Sequence, residues 1–308
     1  MLRQFNGVDA MPAIAMEDDR PILTDGGMGE ALAGMGLRQP GSPFWSGRAL
    51  IEAPDAVLGL HRDFIRAGAD LIITNTYGVV RSFMADLGIE ERFRELNLKA
   101  LELARHAVDA EKRDILIAGS LPPLSDSYLP DEVEPEEILA ERYAEQAGIL
   151  ASGVDLFICE TLTTLSETRA SAAAAAATGK PVWIGWSLHE DREASLKDGT
   201  SIAEAARSVA DLPVSAFIAN CCTPEAVTRA LPELMATGRP TGGYANTFAP
   251  IDPGNTSVGH RHDLDPESYR DHVARWLAGG ARIVGGCCGT LPRHIALLRS
   301  LIDDGPPG

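Results

Sequence analysis

Arg282-Ile283-Val284-Gly285-Gly286-Cys287-Cys288-Gly289-Thr290 begins as an apolar run of strand length and ends as a glycine-bracketed pair of cysteines, with Pro292 opening a helical segment behind it. A buried strand that stops at reactive residues and hands over to a helix is the repeating unit of an α/β protein. Seven similar runs precede it, so the candidate strands are residues 22–25, 70–77, 115–120, 156–161, 182–187, 216–221, 241–246 and 282–286. They are short and apolar on both faces, as parallel strands under helices are. The segments between them carry helical signals. Pro54-Asp55, Pro135-Glu136-Glu137, Pro224-Glu225 and Pro266-Glu267 place proline and acids where first turns want them. Residues 172–177 are all alanine, the best helix former. Eight strand–helix units predict a single (β/α)8 barrel, with an open doubly wound sheet as competitor.

The polar residues favour the barrel. Asp25, Thr74, Ser120, Glu160, Ser187, Cys221, Asn246 and Cys287/Cys288 all fall at the C-terminal ends of these runs. That rim is where barrel enzymes keep their active sites. The barrel is expected over 21–302, with 1–20 a poorly ordered extension and 303–308 a frayed tail. The 308 residues carry a formal charge of −17, which argues against nucleic-acid and anionic-membrane partners. No apolar run reaches the roughly 18 residues of a membrane span, and residues 1–20 lack the basic-then-apolar order of a secretory signal. A cytoplasmic location is the expectation, and there five cysteines read as metal or chemistry before disulfides.

Adjacent cysteines on a regular strand point to opposite faces, but flanking glycines let Cys287 and Cys288 converge on one point. Cys221 arrives from another strand end, after Asn220. Three thiolates with a fourth position open describe a catalytic zinc site. The spacing suits an iron–sulfur cluster poorly. Cys159 and Cys222 read as small buried hydrophobes. A zinc with three thiolates has about −1 net charge and is poor at making hydroxide, but it ionises a bound substrate thiol outright. The chemistry implied is thiol alkylation.

Asp25 in Thr24-Asp25-Gly26-Gly27-Met28-Gly29 and Glu160 in Cys159-Glu160-Thr161 have three readings: a grip on a substrate ammonium, an acid/base pair, or a helix cap and a structural ion pair. The glycines after Asp25 offer backbone N–H groups to a substrate carboxylate. Leu32 stands where a dinucleotide fingerprint needs its third glycine, so that motif fails. His260 and His262 are reserve metal ligands, and His294 reads as structural. Trp45, Tyr77, Trp186, Tyr244 and Phe248 are aromatics able to face a cationic methyl donor or to serve packing.

Asp25-Gly26-Gly27, Thr74-Asn75-Thr76-Tyr77, Gly119-Ser120, Glu160-Thr161, Asn220-Cys221 and Gly285-Gly286-Cys287-Cys288-Gly289-Thr290 together resemble the zinc-dependent homocysteine S-methyltransferases across roughly residues 21–301. The resemblance implies a barrel, a zinc held by Cys221, Cys287 and Cys288, and homocysteine as methyl acceptor on the way to methionine. It implies that Asp25 and Glu160, with Gly26 and Gly27 beside them, hold the amino-acid end, that Thr74 and Asn246 contact substrate, and that Trp45 and Tyr77 face the donor. Pro43-Phe44-Trp45-Ser46 followed by Ala49-Leu50-Ile51-Glu52 is similar to the branch using S-methylmethionine. Betaine, S-adenosylmethionine or a separate methyl-corrinoid protein are the alternative donors. The chain is too short to carry the folate and corrinoid modules of cobalamin-dependent relatives.

Overall fold

The computed structural model describes residues 20–37, 44–190, 194–250 and 259–305, the side chain of Trp45 excepted. The expected extension, residues 1–20, lies outside these except for Arg20, and so do the last three residues. Eight parallel strands form one sheet: β1 (Ile22–Leu23), β2 (Leu71–Ile73), β3 (Leu116–Leu121), β4 (Leu156–Leu162), β5 (Val182–Trp186), β6 (Val214–Asn220), β7 (Thr241–Tyr244) and β8 (Ile283–Val284). Their order is β1-β8-β7-β6-β5-β4-β3-β2, and a bridge from Thr24 to Leu71 brings the two ends together. This is the (β/α)8 barrel. Around it stand α1 (Met28–Gly34), α2 (Trp45–Glu52), α3 (Pro54–Ala67), α4 (Arg81–Ala85), α5 (Phe93–Glu111), α6 (Glu136–Leu150), α7 (Leu165–Ala177), α8 (Ile202–Ser208), α9 (Pro224–Ala236), α10 (Pro266–Ala278) and α11 (Pro292–Asp304). The last helix therefore runs through Asp304, two residues past the predicted end of the barrel. Asp303 is tied to Arg20 at 3.1 Å and to Arg299 at 3.3 Å.

Side-chain parity divides the core into two layers. Leu71, Ala118, Leu156, Ile158, Trp183, Ala216, Ile218 and Ile283 fill the barrel interior. Ile72, Ile117, Phe157, Cys159, Ile184, Trp186, Phe217, Ala219 and Val284 face outward to the helices. Successive residues of a strand alternate faces, so Glu160 continues the inward row of Leu156 and Ile158, and Asn220 that of Ala216 and Ile218. Trp186 belongs to the outer layer. It stacks on Phe217 with centroids 5.0 Å apart, and its Nε1–H donates to Thr168, so it packs and does not face a donor.

Helix entries follow the chemistry of their first residues. Thr164, Ser201, Thr223 and Asp265 accept hydrogen bonds from backbone N–H groups three residues on, as N-caps do. Proline opens α3, α9, α10 and α11, as the sequence predicts. Six of the strands (β1, β2 and β5 to β8) end one to four residues before their expected C-terminal bounds, whereas β3 and β4 each run one residue further. Thr74–Tyr77 and Gly285–Gly286 leave the ladder and, with Cys287 and Cys288 beyond them, form the rim.

The seam between β7 and β8 depends on one residue without a side chain. A Cβ on Gly242 would lie 1.8 Å from the Ile283 carbonyl oxygen, which belongs to backbone and cannot swing aside. Gly242→Ala is expected to cost about 3 kcal/mol or more, the upper end of overpacking effects, read as a fall in urea midpoint. A midpoint within experimental error of wild type would show that the seam relaxes freely.

Candidate metal centre and substrate cavity

β6 ends at Asn220, and the next residue breaks parity. Cys221 takes a left-handed φ of 52°, which turns its sulfur toward the barrel axis. Opposite, the chain leaves β8 through Gly285 and Gly286 and turns again at Gly289, whose φ is 80°. A Cβ on Gly286 would sit 2.1 Å from Thr290 Oγ1, so the turn closes only around glycine. These two corners set Cys221 Sγ 2.9 Å from Cys287 Sγ and 3.9 Å from Cys288 Sγ, all three sulfurs lying within 4.8 Å of one another. Thiolates bonded tetrahedrally to one zinc at about 2.3 Å stand about 3.8 Å apart, so small shifts seat a metal here. Thiol hydrogen bonds from Cys287 and Cys288 hold Cys221 well below the ordinary thiol range, and the same contact pushes Cys287 up. The cluster is poised to hold charge on sulfur.

Glu160 lies on the neighbouring wall. Its Oε1 accepts from Ser120 Oγ at 2.6 Å and its Oε2 from Tyr244 OH at 2.9 Å. Neither partner is a cation, so a structural ion pair is excluded as its role. Asp25 Oδ2 accepts the Ile73 N–H at 3.0 Å, while α1 is capped at Gly27 without a side chain, so Asp25 is no helix cap. Burial pushes Glu160 up to about 7 and Asp25 well above the usual carboxylate range, each helped by a negative neighbour. The corner behind Glu160 is fixed by Asn220. Its Oδ1 accepts from Thr161 N and its Nδ2 donates to Thr161 Oγ1, both at 2.9 Å, holding Thr161 at φ 62°. A non-glycine residue in that region stores about 1–3 kcal/mol of strain.

One cavity joins these groups. Asp25, Gly26, Gly27, Thr74, Tyr77, Glu160, Cys221, Cys287 and Cys288 all line it, together with Met28, Ser46, Ile73, Asn75, Tyr128 and Tyr244. Among the described residues no lysine or arginine lines it. Asn246 does not line it either. It is fully buried, its Oδ1 accepting from Phe248 N and its Nδ2 without a partner among the described residues. Gly26 and Gly27 let two backbones touch: a Cβ on Gly27 would lie 2.6 Å from the Cys287 carbonyl oxygen. The Gly27 N–H is already taken by Thr290, through its carbonyl at 3.0 Å and hydroxyl at 3.2 Å. Thr74 Oγ1 accepts from Ser120 N, and the Tyr77 hydroxyl bonds Ser127 at 2.7 Å. The donor-facing role expected of the Trp45 side chain lies outside the described residues.

The remaining candidates are structural. Cys159 and Cys222 are fully buried and both are pushed up to about 12 by desolvation. His294 is buried, accepts from Leu291 N and falls to about 4. His260 packs its ring on Phe248 and lies 3.6 Å from Glu30, outside the sulfur cluster. Tyr128, which contacts Cys221 from the loop after β3, carries no signal in the sequence pattern.

Glu160 also sets a pH dependence. Above about pH 4.5 the unfolded carboxyl loses its proton while the folded one keeps it to about 7, so the folded state binds more protons and stability falls across that window. Wild type should therefore lose up to about 3 kcal/mol relative to Glu160→Gln between pH 4.5 and 7, with no further change above. Parallel stability curves for the two proteins over that range would contradict it.

A (β/α)8 barrel with a three-cysteine cluster and two buried acids on one rim cavity is an enzyme that handles a thiol. The chain belongs to the homocysteine S-methyltransferase family, whose model matches residues 22–302. It is 32% identical to the homocysteine S-methyltransferase of Escherichia coli over 94% of this chain and 98% of that one. It is 31% identical to the betaine-homocysteine S-methyltransferase of Drosophila melanogaster, covering 93% and 96% of the two chains. The solved structure of the homocysteine methyltransferase MmuM from Escherichia coli, metallated form, superposes with a TM-score of 0.79 at 29% identity, covering 94% of this chain and 99% of that one. No helix among the described residues is long and apolar enough to cross a membrane.

Proposed function

We propose that the protein transfers a methyl group from a sulfonium donor, S-methylmethionine, to homocysteine, releasing methionine, with zinc held by Cys221, Cys287 and Cys288. The observation that carries this reading is that the sulfur cluster shares its cavity with two buried carboxylates and, among the described residues, no lysine or arginine. Zinc, when bound, supplies a seat on which a substrate thiol ionises at neutral pH.

The chain's own residues do the rest. Asp25 and Glu160 receive the substrate ammonium, which relieves the desolvation that burial imposes on both. Ser120 and Tyr244 aim Glu160, and Ile73 aims Asp25. With the amino-acid end fixed, the homocysteine sulfur stays oriented on the cysteine side of the cavity. It attacks the donor methyl carbon in line. A sulfur–carbon bond forms as the donor's own sulfur–carbon bond breaks, and the electron pair leaves on the donor sulfur, which becomes a neutral thioether. No covalent bond to the enzyme forms. Tyr77 and Tyr128 place aromatic groups on the cavity wall, suitable neighbours for a methyl-bearing cation. The choice of S-methylmethionine rests on Pro43-Phe44-Trp45-Ser46, of which Ser46 lines the cavity.

A turnover assay tests the reading. Purified protein alone is offered homocysteine with S-methylmethionine, betaine, S-adenosylmethionine or methylfolate, and methionine is measured. S-methylmethionine should be the best donor. Turnover with betaine alone would move the donor assignment. Methionine formed only after adding a separate methyl-corrinoid protein would reduce the chain to a homocysteine-activating module.

A further inference from the structure

The sulfur cluster receives one contact from outside the cysteine corners. Tyr128, in the loop between β3 and α6, sets its hydroxyl 3.0 Å from Cys221 Sγ. Three features show that this placement is built into the fold. The Tyr128 backbone has a left-handed φ of 74°, an unfavourable conformation for a bulky aromatic residue. Its ring lies under Lys197 Nζ, 5.7 Å from the centroid, and that side chain is only 4% exposed and 3.9 Å from Glu190. The preceding residue, Ser127, bonds the Tyr77 hydroxyl at 2.7 Å and so pins the loop to the far cavity wall. A strained residue held from two sides points one polar atom at one sulfur.

A phenol O–H is a donor, and a thiolate is an acceptor with lone pairs left over after binding a metal. We propose that Tyr128 is a positioning residue of the metal centre: its hydroxyl donates a hydrogen bond to the Cys221 thiolate, drawing charge from that sulfur and fixing its direction. Lys197 seats the ring and reinforces the donor by lying over its π face. The proposal rests on Cys221, Cys287 and Cys288 being the metal ligands.

The test uses Tyr128→Phe, which keeps the ring and removes the donor, beside Ser127→Ala, which loosens the same loop without touching Cys221. Reduced, metal-free proteins are titrated with zinc against a chromophoric chelator. Loss of a partner that orients a metal ligand typically weakens affinity about 10- to 100-fold, and that loss is expected for Tyr128→Phe, with less than about threefold for Ser127→Ala. In the cobalt-loaded proteins the thiolate-to-metal charge-transfer band should move to lower energy in Tyr128→Phe only, because a sulfur without its donor is more electron-rich. Zinc affinity within threefold of wild type in Tyr128→Phe would overturn the proposal. So would an equal loss in Ser127→Ala, which would assign the effect to loop packing. A wild-type protein that takes up no zinc would overturn the metal assignment itself, and the proposal with it.

Discussion

Cys221→Ala is expected to abolish metal binding and methyl transfer together, the largest effect of any single substitution at this site. The left-handed corner after β6 delivers one of the three sulfurs, and no described histidine or carboxylate stands within the cluster to replace it. The remaining pair, Cys287 and Cys288, comes from one turn and closes only part of a tetrahedron. At pH 7 a free thiol with a pKa near 8.5 is about 3% ionised, so losing the metal costs about 30-fold in thiolate alone. Losing the fixed position of the sulfur adds about 100-fold more, for a combined fall of about 10³ or greater. Metal content per chain and turnover with homocysteine are measured on the same preparation under reductant. Cys222→Ala is the matched comparison, because Cys222 is adjacent in sequence but packs in the outer layer. It should keep its metal and lose only stability. Full metal content in Cys221→Ala would show that the ligand set is drawn wrongly.

The contrast between these neighbouring cysteines shows what the sequence reveals and where it stops. Strand parity is legible: Leu156, Ile158 and Glu160 share a face, so a buried acid at the end of that row has to reach the barrel axis. The same counting puts Trp186 on the outer face, beside Ile184, and removes it from the donor pocket. The eight strands and their polar ends are legible because parallel strands under helices read as short apolar runs. Parity holds as far as Cys287, which continues the inward row of Ile283, and fails at Cys221, whose own left-handed φ re-aims it, and at Cys288, inside the turn that closes at Gly289. There the glycines and the residue types carry the reading instead. What no pattern reveals is contact between distant loops. Tyr128 meets Cys221 across 93 positions, and Asn220 clamps Thr161 across 59. Asn246 carries a polar side chain at a strand end, as the others do, yet it is fully buried and is not among the residues that line the cavity.

Glu160→Ala is expected to raise the homocysteine concentration needed for half-maximal rate about 10- to 100-fold while leaving the metal in place. A hydrogen bond to a charged group contributes about 1.5–3 kcal/mol net, and here both partners are charged and buried. Asp25 remains to hold the ammonium, so binding weakens without vanishing. The sulfur cluster shares no hydrogen bond with Glu160, whose partners are Ser120 and Tyr244, so metal content should be unchanged. At saturating homocysteine the rate should fall by no more than about threefold, since the acid orients the substrate and takes no proton in the reaction. The alanine also leaves the Ser120 and Tyr244 hydroxyls without their acceptor, so general loosening of the cavity has to be separated from loss of the charge. A thiol lacking the amino group makes that separation. Wild type and Glu160→Ala should use it equally poorly if Glu160 acts on the ammonium, whereas a loosened cavity would penalise both thiols alike. Glu160→Gln, which preserves both hydroxyl contacts but not the charge, should behave like Glu160→Ala toward homocysteine. If Glu160→Ala turned over sub-saturating homocysteine at the wild-type rate, the carboxylate would have no part in gripping the substrate, whatever the state of the metal.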